Sequence, residues 1–379
     1  MSVVRNRTVR GWALVAALAA VAVLVPQVPR SLPASAAPVD PGTLRDRILA
    51  SADRPHQGYA EITGTLALPE LPNVADVTSL LTTTTRVRSW YAGPSSWRFD
   101  VVTGHVAGAG ERDVYRTPVG EFTWDYGANL LTRLIGEPPV RLPRAGDLLP
   151  PELARRVLVA AQEDPVGALP ARRVAGHHAA GLRLTPADPD TTIGHVDMWA
   201  DPDTGLPVAV ELTPRDADRP ILYSQFLELD ATTPGADVLT PKQAPGSGFT
   251  VATAPDVGDV LGTFGRGRLP DRLAGRELRE ADAGGVRGVG VYGWGLSAFV
   301  ALPVPGHVGA DAAEAITNAG GTSEDLTRGE ALRLSIAPLS VVIAHSDVSR
   351  RWYLLAGTTT TDVLLGAATE LMSLPEWFR

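Results

Sequence analysis

Gly194-His195-Val196-Asp197-Met198-Trp199-Ala200-Asp201-Pro202-Asp203-Thr204-Gly205-Leu206-Pro207-Val208-Ala209-Val210-Glu211-Leu212 is the stretch whose pattern decides the fold. Val196, Met198 and Ala200 alternate with Asp197, Trp199 and Asp201, and Val208, Val210 and Leu212 repeat that period beyond a break, as half-buried strands do. Within the break, Pro202 presets φ for a turn, Asp201 and Asp203 can accept bonds from nearby backbone N–H groups, and Gly205 can enter the left-handed region that other residues resist. The segment is therefore predicted to be a β-hairpin with a longer turn.

Working outward, short strand candidates lie upstream at 59–68, 85–91, 97–103, 111–116, 121–126 and 129–135, separated by breaks such as Ala92-Gly93-Pro94-Ser95-Ser96. A helix is expected over 40–52, with Pro41 early and Leu44, Ile48 and Leu49 on one face. A second is expected inside 144–168, where Leu153, Val157, Leu158 and Ala161 recur at helical spacing. Strands resume at 172–175 and 181–186, continue through the hairpin and end at 221–230. Strands this short and this regular mean an antiparallel meander that curves into a barrel or sandwich. Residues 232–248 are rich in Pro, Gly, Thr and Ala and predict a linker. Beyond it, 285–303 has a strand-turn-strand pattern, 330–345 alternates, 351–356 is a further strand, and 360–371 predicts an amphipathic helix.

A length of 379 residues predicts two domains, each able to bury a core. The 34 basic residues are outnumbered by 42 acidic ones, and Arg5, Arg7, Arg10 and Arg30 fall in an N-terminal segment with export-signal character. What remains is more acidic still, so nucleic acid finds no general attraction here. The N-terminal segment has basic residues, an apolar run over 12–25, then Pro26, Pro29, Pro33 and small residues around Ala36. That layout predicts a signal peptide over 1–36, or an uncleaved anchor, and an extracytoplasmic location for the rest. The chain has no cysteine, which removes disulfides, thiolate metal sites and cysteine nucleophiles.

Taken with the hairpin, the motif Trp199-x-Asp201-Pro202-x-Thr204-Gly205-Leu206-Pro207 resembles the hairpin of the LolA and RseB/MucB group, carriers of lipoproteins and regulators of the sigma-E response. The order of helix, meander, inserted helix and further strands resembles that group over roughly 40–232. In the second half, Tyr292-Gly293-Trp294-Gly295-Leu296 resembles the Tyr-Ser-Asp-Gly-Leu strand pair of the regulator's C-terminal domain, and 352–361 with the helix after it resembles that domain's last strand and helix. Gly293-Trp294 stands where the family has Ser-Asp, so a partner contact through that aspartate does not carry over.

The resemblance implies a mainly β (α+β) chain: a LolA-like unclosed antiparallel half-barrel with a helical lid over 37–232, a linker over 233–249, and a smaller RseB C-terminal-like α+β domain over 250–379. It implies a non-enzymatic regulator that binds a lipid-like ligand and a membrane-bound anti-sigma factor. A lipid or lipoprotein carrier of the LolA type is the alternative on the same fold, and a secreted hydrolase or metal enzyme a third possibility of another class.

Trp90, Trp97, Phe99, Phe122, Trp124, Tyr126 and Trp199 fall on predicted strands, where alternation sends about half of such residues inward. They are candidates to line a greasy hollow that takes an acyl chain, or else they are ordinary core. Leu153, Val157 and Leu158 are the candidate lid residues, and Tyr292, Trp294 and Leu296 the candidate partner contacts. No catalytic residue, metal or cofactor is expected. Adjacent His177 and His178 point to opposite strand faces, so at most one can join His195 and Asp197. His345-Ser346-Asp347 holds triad residue types without triad geometry, and the glycine-rich runs 262–267 and 284–290 lack the strand and helix of a phosphate cradle.

Overall fold

The computed structural model describes residues 39–66, 75–102, 112–136, 141–254, 269–279 and 288–374. The expected export segment 1–36, the glycine run 262–267 and most of 284–290 lie outside them. No described helix is long and apolar enough to cross a membrane.

Helix α1 (Pro41–Leu49) starts as its sequence dictates: the Asp40 carboxylate accepts the Thr43 N–H at 2.9 Å, Pro41 occupies the first turn, and Leu44 and Ile48 are buried. Strand β1 (His56–Gly64) lies between β2 (Thr84–Gly93) and β11 (Leu222–Asp230), with helix α2 (Ala75–Thr82) packed on it. The meander continues through β3 (Ser96–Val101), β4 (Arg112–Thr117), β5 (Gly120–Asp125) and β6 (Leu130–Ile135). A 3-10 turn (Ala145–Leu148) leads into α3 (Pro150–Ala160), the expected insertion. Strands β7 (Val166–Val174), β8 (His177–Leu184), β9 (Ile193–Ala200) and β10 (Pro207–Pro214) then lead back to β11.

With β12 (Gly248–Thr253), these eleven strands form one sheet of 12, in the order β12-β6-β5-β4-β3-β2-β1-β11-β10-β9-β8-β7. The two end strands do not pair with each other, so the sheet is open. The central hairpin forms as expected. Asp201 Oδ1 accepts the N–H groups of Asp203 at 3.1 Å and Thr204 at 2.8 Å, and Gly205 has φ +71°. A Cβ on Gly205 would stand 2.3 Å from the Arg47 carbonyl oxygen, so only glycine lets the hairpin tip meet α1.

Strand β12 (Gly248–Thr253) corrects the domain limits. Expected to straddle the end of a linker and the start of the second domain, it runs parallel to β6 and is an edge strand of the first sheet. The proline- and glycine-rich run before it gave its short polar and apolar alternation the look of a spacer.

The second half is a six-stranded antiparallel sheet. Before it comes a small hairpin of β13 (Arg272–Leu273) and β14 (Arg276–Glu277). The sheet strands are β15 (Gly290–Tyr292), β16 (Phe299–Val304), β17 (Thr322–Leu326), β18 (Gly329–Ile336), β19 (Leu339–Ser346) and β20 (Trp352–Gly357), in the order β15-β16-β20-β19-β18-β17. Helix α5 (Thr361–Ser373) buries Leu364, Ala367, Ala368 and Leu371 against Phe299, Val342 and Leu355 on one face. Helix α4 (Gly306–Asn318) packs Ile316 against Leu302, Val304 and Ile343 on the other. This α+β half matches the expected class, although α4 and β17 were not foreseen.

Candidate functional site

Cross-strand register decides which side of the open sheet each aromatic residue serves. Tyr91 pairs with Trp97, Ser89 with Phe99 and Phe99 with Val114, so these side chains share one face with Ala60, Ile62 and Val87. Helix α3 lies on that face, burying Leu153, Val157 and Leu158 in a core shared with Met198, Val210 and Phe226. Leu153, Val157 and Leu158 thus pack between the helix and the sheet.

The opposite face carries most of the expected ligand lining, which is a correction. Trp90 pairs with Arg98, Arg98 with Tyr115, Tyr115 with Phe122, and Asp113 with Trp124, all turned away from α3. Arg98 lies 4.8 Å from the Trp90 ring centre and 4.9 Å from that of Tyr115. It bonds both oxygens of Asp100 at 2.7 Å and Asp113 at 2.8 Å, while Tyr126 donates to Asp113 at 2.8 Å. Burial holds the Asp100 carboxyl above its ordinary range, against the pull of Arg98. Trp199 also lies on this face: its indole N–H donates to the Pro170 carbonyl at 3.1 Å and the Arg172 guanidinium covers its ring at 3.6 Å. Phe122, Trp124, Tyr126 and Trp199 are thereby engaged in packing and arginine contacts; of the seven, Trp97 and Phe99 face the lid, and Trp90, turned from it by register, still borders the space beneath it. A count of aromatic residues could not reveal this, because the split depends on register with neighbouring strands.

Between sheet and lid lies a cavity of about 270 Å³. Its sheet side includes His56, Ser89, Trp90, Tyr91, Trp97, Arg98, Phe99 and Arg116, and its lid side includes Arg141, Arg144, Asp147, Glu152, Arg155 and Arg156. Sequence inspection missed these arginines, which are dispersed among loop and helix and converge only when α3 folds back. Their lattice is firm. Asp147 accepts two bonds from Arg141 at 2.6 and 2.7 Å, one from Arg156 at 2.9 Å and the Arg144 N–H at 2.8 Å. Burial alone would push the Asp147 carboxyl up, but the bonds from Arg141 and Arg144 outweigh it and hold the group below its ordinary value. Arg144 also pairs with Glu121, and Arg155 with Glu152 at 3.1 Å.

Six arginines (Arg98, Arg116, Arg141, Arg144, Arg155, Arg156) thus border this space with two carboxylates, Asp147 and Glu152. His56 stacks on Tyr91 at 5.0 Å and meets the Arg54 carbonyl at 3.0 Å through Nδ1. Burial lowers its pKa to about 4, so the imidazole is neutral at pH 7. The Ser89 hydroxyl, 2% exposed, borders the cavity without a hydrogen-bond partner. The arrangement can hold an anionic group at the arginines and an apolar group against Trp97 and Phe99.

A second space of about 860 Å³ separates the halves, between 160–164 and 186–191 on one side and 272–277 and 293–297 on the other. Trp294 borders it, 67% exposed, with the Arg279 guanidinium 3.8 Å from its ring centre. Tyr292 does not: it is fully buried, stacked on Phe299 at 5.4 Å, with its hydroxyl donating to Pro270 at 2.8 Å. Its expected role as a partner contact is withdrawn, since alternation along β15 sends it inward. Leu296 is half-buried at the seam, where its carbonyl accepts from Thr191 at 2.6 Å and Thr358 at 2.8 Å.

Comparison with solved structures finds likenesses at low sequence identity. The chain is similar to MucB. A Pseudomonas aeruginosa MucA/MucB complex matches at 16% identity and TM-score 0.48, covering 87% of this chain and 97% of that one. MucB in complex with MucA(peri) matches at 18% identity and TM-score 0.46, with coverage of 87% and 97%. A LolA superfamily protein from Nitrosomonas europaea matches at 11% identity and TM-score 0.25, covering 54% of this chain and 98% of that one. No family profile and no characterised protein sequence matches the chain.

The residues considered for other chemistry stand apart. His177 Nε2 meets the Leu229 carbonyl at 3.1 Å, His195 stands 3.8 Å from Asp197, and no group of three metal-ligating residues converges among the described residues. Ser346 is fully buried, with its hydroxyl accepting the Ser349 N–H at 3.2 Å.

Proposed function

We propose that this chain is a non-enzymatic extracytoplasmic regulator that holds an amphiphile in the half-barrel and docks an anti-sigma factor at the membrane. The observation that carries the ligand half of this reading is the cavity under α3, where Trp97 and Phe99 make an apolar wall, the Ser89 hydroxyl is unpaired and arginine charges exceed carboxylates. Such a wall suits an alkyl segment and such a rim an anionic headgroup. The partner half rests on the sequence pattern of 292–300 and 352–361, with the exposed Trp294 as its remaining surface residue.

The lid supplies a physical link between the two events. The N-terminal turns of α3 border the cavity through Pro151, Glu152, Arg155 and Arg156, and its last residue Ala160, with the capping Ala161, borders the space beside Trp294. A ligand that shifts this helix changes both places, which is how one site biases another.

Titration calorimetry with a single-chain phosphate amphiphile and its zwitterionic phosphocholine counterpart tests the reading. The anionic compound is expected to bind at least about tenfold more tightly, a difference of ~1.4 kcal/mol. Arg144→Gln is expected to narrow that gap. Equal binding of both compounds, or none of either, counts against it. In a second arm, saturating anionic amphiphile should weaken capture of the anti-sigma factor's extracytoplasmic segment, and unchanged affinity would remove the coupling.

A further inference from the structure

Unguarded sheet edges invite pairing, and natural sheets blunt them with charges, proline, bulges or shortness. Of the four edges of the two large sheets, three are blunted. Strand β7 carries Pro170, Arg172, Arg173 and a register break between Leu169 and Arg172. Strand β17 carries Glu324 and Asp325, and β15 has three residues. Strand β12 reads Gly248-Phe249-Thr250-Val251-Ala252-Thr253, without charge or proline. Phe249 is 50% exposed, Val251 48%, and Ile135 beside them 56%.

The backbone of β12 is as open as its side chains. Gly248 N–H donates to Asn129 at 3.0 Å and Ala254 N–H to Ile135 at 2.9 Å. By strand alternation residues 248, 250, 252 and 254 therefore bond β6, while the N–H and C=O groups of Phe249, Val251 and Thr253 point away from the sheet. Among the described residues no strand takes them up.

We infer that β12 is a self-association strand, and that its occupant is β12 of a second copy of this chain, laid antiparallel across a two-fold axis at Val251. The strand is complementary to itself in that register. Val251 meets Val251 of the second copy, and Phe249 meets Thr253 of the second copy on either side, so every outward-pointing backbone group is bonded. The facing pairs are β-branched with β-branched and aromatic with β-branched, the kinds that stabilise antiparallel ladders. With no charged side chain on either strand, nothing on the strands themselves repels. One strand pair is a small interface, so the dimer is weak and is read at protein concentrations up to about 1 mM.

The natural absence of cysteine makes the register directly testable in the full chain. Facing residues in a bonded antiparallel pair have Cα atoms about 5.5 Å apart, within disulfide reach. Val251→Cys is expected to form a covalent dimer under mild oxidation. Phe249→Cys, whose equivalent in the second copy lies four residues along, about 13 Å away, is expected to cross-link at least tenfold more slowly. Sedimentation should show concentration-dependent dimer for the unaltered chain, and monomer for Val251→Lys with an unchanged circular dichroism spectrum. A chain that stays monomeric throughout, or equal cross-linking at both positions, overturns the inference. So does undiminished dimer in Val251→Lys.

Discussion

His56 shows how much a single buried side chain can set the conditions under which the cavity exists. Its pKa falls from 6.5 to about 4 because burial penalises the charged ring; the Arg54 carbonyl opposes this and Arg155 adds to it. The unfolded chain therefore takes up the proton at a higher pH than the folded one. The contribution is complete above about pH 6.5 and is lost as the pH falls toward 4, to a total of about 3 kcal/mol. Urea unfolding at pH 7 and pH 4.5 checks this. The unaltered protein should lose about 2 kcal/mol more between the two than His56→Gln does, and equal losses would mean the ring is not the titrating group. Compared this way, the stacking on Tyr91 lost in the variant cancels. Residues such as His56, Ser89 and Arg144 carry no motif, so nothing in the linear sequence distinguished them. Asp201 and Gly205, by contrast, act within five residues of one another, and their roles were legible at once.

At the scale of elements, the decisive contact is that between the 3-10 turn ahead of α3 and the face of β3. A Cβ added at Gly146 would stand 2.6 Å from the Phe99 ring, which itself stacks on Trp97 at 5.5 Å. Gly146→Val should therefore lift the turn or displace the ring, at a cost of about 1–3 kcal/mol. Gly167→Ala is the control, because nothing lies within 4 Å of its added carbon, and it should stay within about 0.5 kcal/mol of the unaltered chain. Chemical denaturation measures both, and similar losses in the two would show that lid and sheet are not closely fitted. Most elements were legible because period and turn chemistry are local. Helix α4 was not, since Gly306, Gly309 and a run of alanines hide its apolar stripe; Gly309 is there because Trp352 leaves no room for a side chain. Strand faces were not legible either, which is why Trp124 and Trp199 were expected in a hollow they do not line.

For the molecule as a whole, what matters is that the lid ends at the seam between the halves. Arg276 on β14 reaches across to Asp188 and Asp190, each at 3.0 Å, and bonds Ser297 at 2.9 Å on its own side. Backbone bonds run beside it: Thr192 N–H to Thr358 at 3.0 Å and Thr360 N–H to Asp190 at 2.8 Å. The guanidinium is largely buried while the carboxylates are a third to a half exposed, so solvent screens the pairs and about 1–2 kcal/mol is the expected worth of the cluster. Arg276→Ala should leave each core intact, because α5 and α3 seal separate hydrophobic clusters. The two halves should then lose their mutual support. Calorimetry is expected to show one melting transition for the unaltered chain and two for the variant, with a larger radius of gyration in scattering. If amphiphile and partner communicate through α3, the same substitution should also abolish the effect of amphiphile on partner capture while leaving amphiphile affinity unchanged. Retained coupling in a chain whose halves melt apart would show that the signal does not cross this seam.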